Sequence, residues 1–210
     1  LSNITKTIKK NTGIAVRAQI VTCEHNIFAR SWDAIYAGMP IGDYRTDFDY
    51  FKTHTNPRVS IEVGRRLGIK ATVPIYKEDV FLGFVEVLSF FTSLTDTFSS
   101  MGVGFYALLD VKHTDSAVLM MQNLSIDKYI VSNINYNYSH IQTLNKVNFK
   151  ELQLSKVVNL DNKYIFLQTM YDGEYKAIGV FVFVLPEKYL EYFKDQEDDM
   201  LNIFERLETV

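Results

Sequence analysis

The stretch Ser60–Phe91 carries the strongest structural signal in the chain and has the sequence SIEVGRRLGIKATVPIYKEDVFLGFVEVLSFF. It contains two apolar runs, Gly68–Tyr76 and Val80–Phe91, joined by a short polar connection. Both runs are rich in Val, Ile, Phe and Tyr, which favour strands, and the connection is only long enough for a turn. The pattern predicts a hairpin of two long strands. Pro74 should lie on an edge or at a bulge, because proline cannot donate a ladder hydrogen bond.

Two charged residues, Lys70 and Glu86, interrupt these apolar runs. If Tyr76 and Phe81 lie next to the turn, the two charges fall nearly opposite each other. A buried charge needs a partner or a ligand. One interpretation is a cross-strand ion pair on a solvated face of the sheet. The other is a sheet with one polar face that lines a pocket for a small charged molecule.

Composition limits the classes of protein that this chain can represent. Its 210 residues are 47% hydrophobic, which suffices for one large domain or two domains of about 100 residues, each with a packed core. The net charge is -3 and no basic stripe occurs, which argues against a nucleic-acid partner. Cys23 is the single cysteine, and the four histidines match no metal-ligand spacing. We expect no disulfide, no metal site and no cofactor.

The sequence begins at Leu1 and contains no signal peptide and no apolar run of membrane-spanning length. We therefore expect a soluble piece of a longer protein. Ile4 and Ile8 stand at helical spacing in the polar segment Leu1–Thr12, and Gly13 follows where a C′ glycine would stand. This pattern predicts the end of a helix.

Several further elements are predicted in the first half. Strand-forming residues predict strands over Ile14–Thr22 and Ile27–Trp32. Asp43 is placed to cap a helix over Tyr44–Thr53, whose aromatic residues share one face. The polar segment Phe91–Met101 predicts a short helix or linker, and we place the boundary between two modules there.

The second half repeats this plan weakly. Strands are predicted over Gly102–Val111, around Met120-Met121 and Ile126–Ile134, and at Val157–Leu160. A second hairpin, Lys163–Tyr171 with Glu174–Leu185, surrounds Asp172-Gly173, a dipeptide that favours a type I′ turn. Glu187–Val210 is predicted as a helix with an intermittent apolar stripe. Antiparallel strands with helices on one side define an α+β fold, and two such modules fit the length.

No catalytic signature occurs, because the sequence lacks a Ser–His–Asp pattern, a nucleophile elbow, a P-loop and a dinucleotide fingerprint. Since catalysis needs a positioned nucleophile or acid–base pair, we predict that the chain is not an enzyme. The first half instead gathers residues that suit a binding site: Arg30, Trp32, Arg45, Asp47, Glu62, Arg65 and Lys70. Arginine and lysine suit a carboxylate, and tryptophan provides an apolar wall. The alternative is a set of surface ion pairs around a core tryptophan.

An ordered set of short motifs resembles the double Cache extracellular sensor domains of bacterial sensor kinases and methyl-accepting chemotaxis receptors. The motifs are Arg30-Ser31-Trp32, Arg45, Glu62-Val63-Gly64-Arg65, Lys70, Pro74 and Gly83-Phe84-Val85-Glu86. Members of this family typically carry arginine at the place of Lys70 and a small residue at the place of Arg66. Lysine is a point charge and lacks the planar fork of arginine. The second half resembles a membrane-proximal Cache module in its pattern only.

The resemblance implies an α+β protein made of two PAS-like Cache modules, each a mainly antiparallel sheet with flanking helices, joined along an N-terminal helix. Residues 1–13 would be the end of that helix, and residues 14–98 the membrane-distal module. Residues 99–186 would be the membrane-proximal module, and residues 187–210 a C-terminal helix leading to the membrane. It further implies the periplasmic or extracellular part of an inner-membrane receptor. Such a receptor has transmembrane helices on both sides of this chain, a homodimeric state and a kinase, cyclase or chemotaxis output domain.

The function that follows from the resemblance is the sensing of a small anionic organic molecule by the distal module, as part of signal transduction. The predicted pocket residues are Arg30, Trp32, Arg45, Glu62 and Lys70. Arg45 and Lys70 would hold the anionic group while Trp32 packs on the organic part, so Arg45→Ala should abolish binding with little loss of fold. The alternative is a module that binds a periplasmic protein and no small molecule. An exposed apolar patch without a closed pocket would favour that alternative.

Overall fold

The computed structural model of this chain describes residues 1–33, 35 and 37–187. The predicted C-terminal helix at 187–210 lies outside these residues except for Glu187. The first element is α1 (Ser2–Thr12), which ends at Gly13 with φ 74° and a hydrogen bond from the Gly13 N–H to the Lys9 carbonyl. The predicted helix end is thereby confirmed. None of the helices in the described part of the chain combines the length and apolar character needed to cross a membrane.

The first sheet is antiparallel and has five strands in the order β2-β1-β5-β4-β3. Its strands are β1 (Val16–Thr22), β2 (Ile27–Arg30), β3 (Arg58–Val63), β4 (Leu67–Lys77) and β5 (Val80–Ser89). The predicted strands are therefore present, although β1 begins two residues later and β2 ends two residues earlier than expected. β3 was not predicted, although its sequence RVSIEV alternates polar and apolar residues, the ordinary signal of a half-buried strand.

The β4–β5 hairpin confirms the prediction made from the apolar runs. Its two-residue connection is Glu78-Asp79, with φ values of 50° and 64°, as a type I′ turn requires. The pairing of β3 with β4 extends only to Thr72, so Pro74 lies on an open edge of its strand. The open edge at Pro74 agrees with the position expected for proline in a strand.

A bulge in β5 sets which side chains share a face. The register shifts between Ile75 and Tyr76, so that Lys70 pairs with Leu88 and Glu86 pairs with Thr72. The two charges therefore point to the same face but lie one cross-strand pair apart, which differs from the nearly opposite placement expected. Gly83 beside the bulge has φ 138°, and a Cβ there would lie 2.0 Å from a carbonyl oxygen of β1, so glycine alone fits.

Residues 41–53, the covering segment, differ most from the prediction. The expected helix over Tyr44–Thr53 is wrong, because two short 3₁₀ helices occur instead, at Gly42–Tyr44 and Thr46–Lys52, and Asp43 makes no capping hydrogen bond. Arg45 separates them with a non-helical backbone (φ −124°, ψ 60°), and its side chain is tied to residues of the sheet. Tertiary contacts have overridden the helical pattern. The segment covers one face of the sheet, where the Phe48 ring stacks on Phe84 at 4.6 Å.

The second sheet follows α2 (Thr92–Ser100) and has six antiparallel strands in the order β7-β8-β6-β11-β10-β9. Its elements are β6 (Gly104–Asp110), β7 (Ser125–Ile126), β8 (Tyr129–Val131), α3 (Tyr138–Leu144), α4 (Phe149–Ser155), β9 (Val157–Leu160), β10 (Lys163–Tyr171) and β11 (Ala177–Pro186). Leaving β7 aside, the order β8-β6-β11-β10-β9 repeats that of the first sheet. The predicted internal repeat and the α+β fold are confirmed. The boundary expected at 98/99 falls inside α2.

Two local predictions in the second half are wrong, and two helices were missed. Val118–Met120 is a 3₁₀ turn, and no strand passes through Met120. The hairpin loop, residues 172–176, is five residues long, and Tyr175 rather than Gly173 has the positive φ, so no type I′ turn forms. The cause is visible at Asp172, whose Oδ1 accepts from the N–H groups of Glu174 and Lys176 at 2.9 Å each. Two helices, α3 and α4, were missed, and asparagine side chains cap both of them.

The two sheets share one cluster of buried apolar residues. Leu67 of the first sheet packs in the same cluster as Phe105, Met120 and Ile178 of the second half. The 3₁₀ turn Val118–Met120 joins the halves directly, because the Leu119 N–H donates to the Arg65 carbonyl at 3.0 Å. The second half therefore contacts the turn between β3 and β4.

Candidate functional site

Polar side chains form two rows across one face of the first sheet. Residues that pair across neighbouring strands point to the same face, so the register identifies the members of each row. The first row consists of Arg17, Leu88, Lys70 and Ser60. The second row consists of Arg30, Gln19, Glu86, Thr72 and Arg58. This is the face that the covering segment packs against.

Arg45 of the covering segment is the centre of a buried ion-pair network on the second row. Its Nη1 and Nη2 donate to the two oxygens of Glu86, at 2.9 Å for Nη1. Its Nε and Nη2 donate to the two oxygens of Asp47, at 2.7 and 2.6 Å. Glu86 is 0% exposed and also accepts hydrogen bonds from Gln19 and Thr72. Every nitrogen of the Arg45 guanidinium is thus engaged by a carboxylate of the protein.

These contacts determine the protonation states of the network. Burial alone would favour the neutral acids, but the contacts with Arg45 outweigh it and lower the pKa of Glu86 and of Asp47. Burial likewise opposes the charge of Arg45, yet the two carboxylates raise the pKa of its guanidinium. Both acids are therefore ionised at neutral pH, and the three residues together carry one net negative charge.

Lys70 is a buried charge that this network leaves without a direct partner. Its residue is 3% exposed, and no described residue accepts a hydrogen bond from its Nζ. Burial, and after it the charge of Arg45, lowers the pKa of Lys70 from 10.5 to about 8. The interpretation of a Lys70–Glu86 ion pair on a solvated face is therefore wrong. Both side chains are buried, and Arg45 holds the carboxylate of Glu86.

A cleft of about 250 Å³ lies between the sheet and its neighbouring segments, with Lys70 in its wall. No acidic residue is among the described residues that line it. Its six cationic lining residues are Arg17, Arg30, Arg45, Arg65, Arg66 and Lys70. Its apolar wall comes from Trp32, Ile41, Leu88, Phe90 and Leu119. A chain of net charge -3 thus presents a locally cationic cleft.

Gly64 keeps the space beside Lys70 open. It lines the cleft, and a Cβ at Gly64 would lie 3.1 Å from the Lys70 Nζ. That distance is shorter than ordinary van der Waals contact, so a larger residue would push the ammonium aside. The position of the Lys70 ammonium therefore requires that residue 64 has no side chain.

Four of the five predicted site residues, Arg30, Trp32, Arg45 and Lys70, line this cleft, and Glu62 does not. Glu62 is buried on β3, where its carboxylate lies 3.9 Å from the Arg58 guanidinium. Burial, followed by the charge of Asp47, raises the pKa of Glu62. The part that these residues play in binding a ligand stays a prediction.

Arg45 has a structural role that the sequence did not reveal. Removing its guanidinium would leave the fully buried Glu86 without its ionic partner, which typically costs about 3–5 kcal/mol. The expectation that Arg45→Ala leaves the fold nearly intact is therefore corrected. Lys70 is the better position for testing ligand binding, because its ammonium makes no hydrogen bond to any described residue.

Two kinds of lining residue were missed from the sequence. Arg17 alternates with Ala18 on β1 and shares the face of Gln19, so strand periodicity could have identified it. Leu119 belongs to the second half, and nothing in its local sequence places it against the first sheet. Only the contact between its turn and Arg65 does so.

A second cleft, of about 280 Å³, lies beside the second sheet and lacks charged side chains among its described lining residues. The Tyr106 hydroxyl and the His140 Nδ1 are 3.0 Å apart in its wall. Burial raises the pKa of Tyr106 to about 12 and lowers the pKa of His140, so both groups are neutral at pH 7. In the described part of the chain no cluster of His, Cys, Asp or Glu side chains could hold a metal ion. The cationic cleft is the stronger candidate for an ionic ligand.

Comparison with known proteins gives relatives at the level of the fold. No family model and no curated protein matches the chain. An extracellular ligand-binding receptor from Desulfohalobium retbaense matches with a TM-score of 0.50 at 15% identity, over 88% of this chain and 32% of that chain. The sensor domain of the V. cholerae histidine kinase DctB matches at 0.47 and 10% identity, over 88% and 76% of the two chains. A domain of a sensory box/GGDEF family protein from Vibrio parahaemolyticus matches at 0.48 and 13%, again over 88% and 76%.

The chain therefore shares its fold with that extracellular receptor, and its two antiparallel sheets confirm the α+β fold class predicted from the sequence. At 10 to 15% identity the likeness shows the fold alone. The chain spans 32% of the length of the receptor from D. retbaense.

Proposed function

We propose that this chain is the extracytoplasmic ligand-sensing part of a bacterial transmembrane receptor and that the cationic cleft of the first sheet binds a small organic anion. The observation that supports the proposal best is Lys70. A buried ammonium without a hydrogen-bond partner is unfavourable, and the cleft beside it would bring a counter-ion into reach. The chain itself would act by binding and would not be an enzyme.

The organisation proposed for the receptor follows the fold. Residues 14–98 would form the membrane-distal, ligand-binding module and residues 99–186 the membrane-proximal module. Transmembrane helices on either side of the chain, a homodimer and a cytoplasmic output domain would complete a two-component or chemotaxis receptor. The extracellular receptor from D. retbaense, which shares this fold, supports this placement for the chain.

A ligand screen of the wild-type chain and two variants tests the proposal. The panel consists of small carboxylates, amino acids and amines, and the readout is the thermal unfolding midpoint. A ligand at about 100 times its dissociation constant stabilises the folded chain by roughly 2.7 kcal/mol. We expect stabilisation by carboxylates in the wild type and its loss in Lys70→Met.

The matched control is Lys77→Met, the same substitution on the same strand. Lys77 is exposed and seven residues further along β4, roughly 20 Å away at the usual rise of a strand. This variant should keep the wild-type response. Stabilisation by amines and not by acids, or equal carboxylate binding by Lys70→Met, would overturn the proposal. A panel without any hit would favour the alternative of a periplasmic protein partner.

A further inference from the structure

A chamber of about 260 Å³ lies between the two halves of the chain, with Leu67, Phe90, Thr92, Met120, Ser132 and Ile134 in its wall. We propose that this chamber is a second binding site and that it takes an aromatic carboxylate. The ring of the ligand would lie among the apolar side chains, and its carboxylate would lie at Arg17 and Arg66, which line the chamber as well. The inference goes beyond the function proposed above, and the site does not include Lys70.

The chamber is built from both halves. Leu67 and Phe90 belong to the first half, Met120 and Ile134 belong to the second, and Thr92 begins the α2 helix between them. The cationic cleft, in contrast, has only Leu119 from the second half. A ligand in the chamber would therefore contact both halves at once.

The inner end of the chamber is apolar and closed. Leu67 is 0% exposed and Met120 is 1% exposed. The Leu67 N–H donates to the Met120 Sδ at 3.2 Å, so this backbone donor already has its partner. Ile134, which is 68% exposed, marks the mouth. Since an apolar cavity of about 150 Å³ is large enough for benzene, this chamber has room for a ring with a short substituent.

The charge at the chamber is positive. Arg17 and Arg66 are exposed, and no acidic residue is among the described residues that line the chamber. Neither arginine forms an ion pair with a described residue. The guanidinium carbon of Arg17 lies 5.3 Å from the centroid of the Phe90 ring, so positive charge adjoins the apolar wall. A carboxylate on a short substituent can reach a guanidinium while its ring stays among apolar side chains.

The rest of the wall favours a flat ring over a polar ligand. Phe90 offers an aromatic ring and Met120 a thioether, and both groups make favourable contacts with aromatic rings. Thr92 and Ser132 are the only uncharged polar side chains among the described lining residues, too few for a polyhydroxyl molecule such as a sugar. A ring also loses less conformational freedom on binding than a flexible alkyl chain does.

Isothermal titration calorimetry of the wild-type chain with three matched probes tests the inference. Phenylacetate has both the ring and the charge, phenylacetamide keeps the ring without the charge, and acetate keeps the charge without the ring. We expect phenylacetate to bind about tenfold more tightly than either of the others, because burial of a ring and a charged hydrogen bond each contribute that much. Equal affinities for phenylacetate and acetate would overturn the inference.

Two variants distinguish the chamber from the cationic cleft. Ser132→Leu places a larger side chain in the chamber and should weaken phenylacetate at least about tenfold, because it occupies the space of the ring. Lys70→Met alters only the cleft and should leave phenylacetate binding unchanged. Loss in Lys70→Met alone would place the acid in the cleft, which overturns this inference and leaves the proposed function standing. Equal losses in the two variants, or no loss in either, would overturn it as well.

A milder variant covers the case in which Ser132→Leu does not fold. Ile134→Ser changes an exposed residue at the mouth, so it should keep the wild-type unfolding midpoint and weaken phenylacetate about fivefold. Leu154→Ser is the matched control, since Leu154 is 86% exposed and lies outside the chamber. Equal affinities of these two variants would refute the site. Failure of phenylacetate to bind the wild type would overturn this inference alone, because the carboxylate panel tests the Lys70 cleft separately.

Discussion

Lys70→Met should raise the free energy of unfolding of the ligand-free protein at pH 7 and abolish binding of the proposed ligand. The pKa of Lys70 falls from 10.5 to about 8 in the folded chain because burial, and then Arg45, disfavour the charged form. Each pH unit between the two values corresponds to 1.36 kcal/mol, so the protonated side chain destabilises the folded state by about 3 kcal/mol at pH 7. Methionine has a similar length and no charge, so the variant should recover about 1–3 kcal/mol of the free energy of unfolding.

The pH dependence distinguishes this explanation from better packing by methionine. The unfolded chain binds the Lys70 proton more tightly than the folded chain, so wild-type stability rises with pH between 8 and 10.5 relative to the variant. The penalty is complete below pH 8, falls to about 2 kcal/mol at pH 9 and vanishes above 10.5. The charged groups around Lys70 are Arg45, Asp47, Glu86 and Glu62. Asp47 and Glu86 have lowered pKa values and stay ionised over this range.

Urea unfolding of wild type, Lys70→Met and Lys77→Met at pH 7, 8 and 9 measures the effect. The quantity of interest is the difference in free energy of unfolding between each variant and the wild type at the same pH. We expect a positive difference for Lys70→Met that narrows as pH rises, and a difference near zero for Lys77→Met. A Lys70→Met protein that is less stable at pH 7, by an amount independent of pH, would refute the electrostatic reasoning.

Four further predictions follow from the same contacts. Arg45→Ala should lower the free energy of unfolding by about 3–5 kcal/mol, because it leaves the buried Glu86 carboxylate without its ionic partner; an unchanged urea midpoint would contradict this. Gly64→Ala should fold normally but lose ligand affinity in calorimetry, since its methyl group would lie 3.1 Å from the Lys70 Nζ; unchanged affinity would show that the ammonium is not used. Affinity for a carboxylate should be constant below pH 8 and fall about tenfold per pH unit above it as Lys70 loses its proton, so a flat profile from pH 7 to 9.5 would exclude Lys70 as the anchor. Leu119→Ala should weaken ligand binding although the residue belongs to the second half, because its side chain lines the cleft; equal affinities would remove it from the site.

Strand-forming residues and the short polar connection between the apolar runs allowed most of the first sheet to be predicted. The hairpin at Glu78-Asp79 depends on local residues, so its position followed from the sequence alone. The polar–apolar alternation of Arg58–Val63 also indicates a strand, but it was overlooked. The bulge beside Gly83 was not predictable in the same way, because the need for glycine comes from the approach of β1. That bulge decides which residues share the polar face.

The candidate site was harder to predict because its contacts join distant parts of the chain. Arg45 and Glu86 are 41 positions apart, and nothing local indicates that Arg45 would bind the carboxylate of Glu86 and that Lys70 would make no hydrogen bond to it. The motif resemblance placed Arg30, Trp32 and Lys70 in one region. It gave no indication that the Arg45 guanidinium is bound by the protein's own carboxylates. Leu119 enters the cleft from another module, so no pattern within the first half could have predicted it.

The buried cluster that joins Leu67 to Phe105 and Met120 has a consequence for how the molecule folds. A cut at residue 98 would separate these side chains and expose a core that belongs to both halves. The two sheets repeat each other in strand order, yet neither half alone can bury the apolar cluster that contains Leu67. We therefore expect a single cooperative folding unit, in which any loss of order in one half spreads to the other.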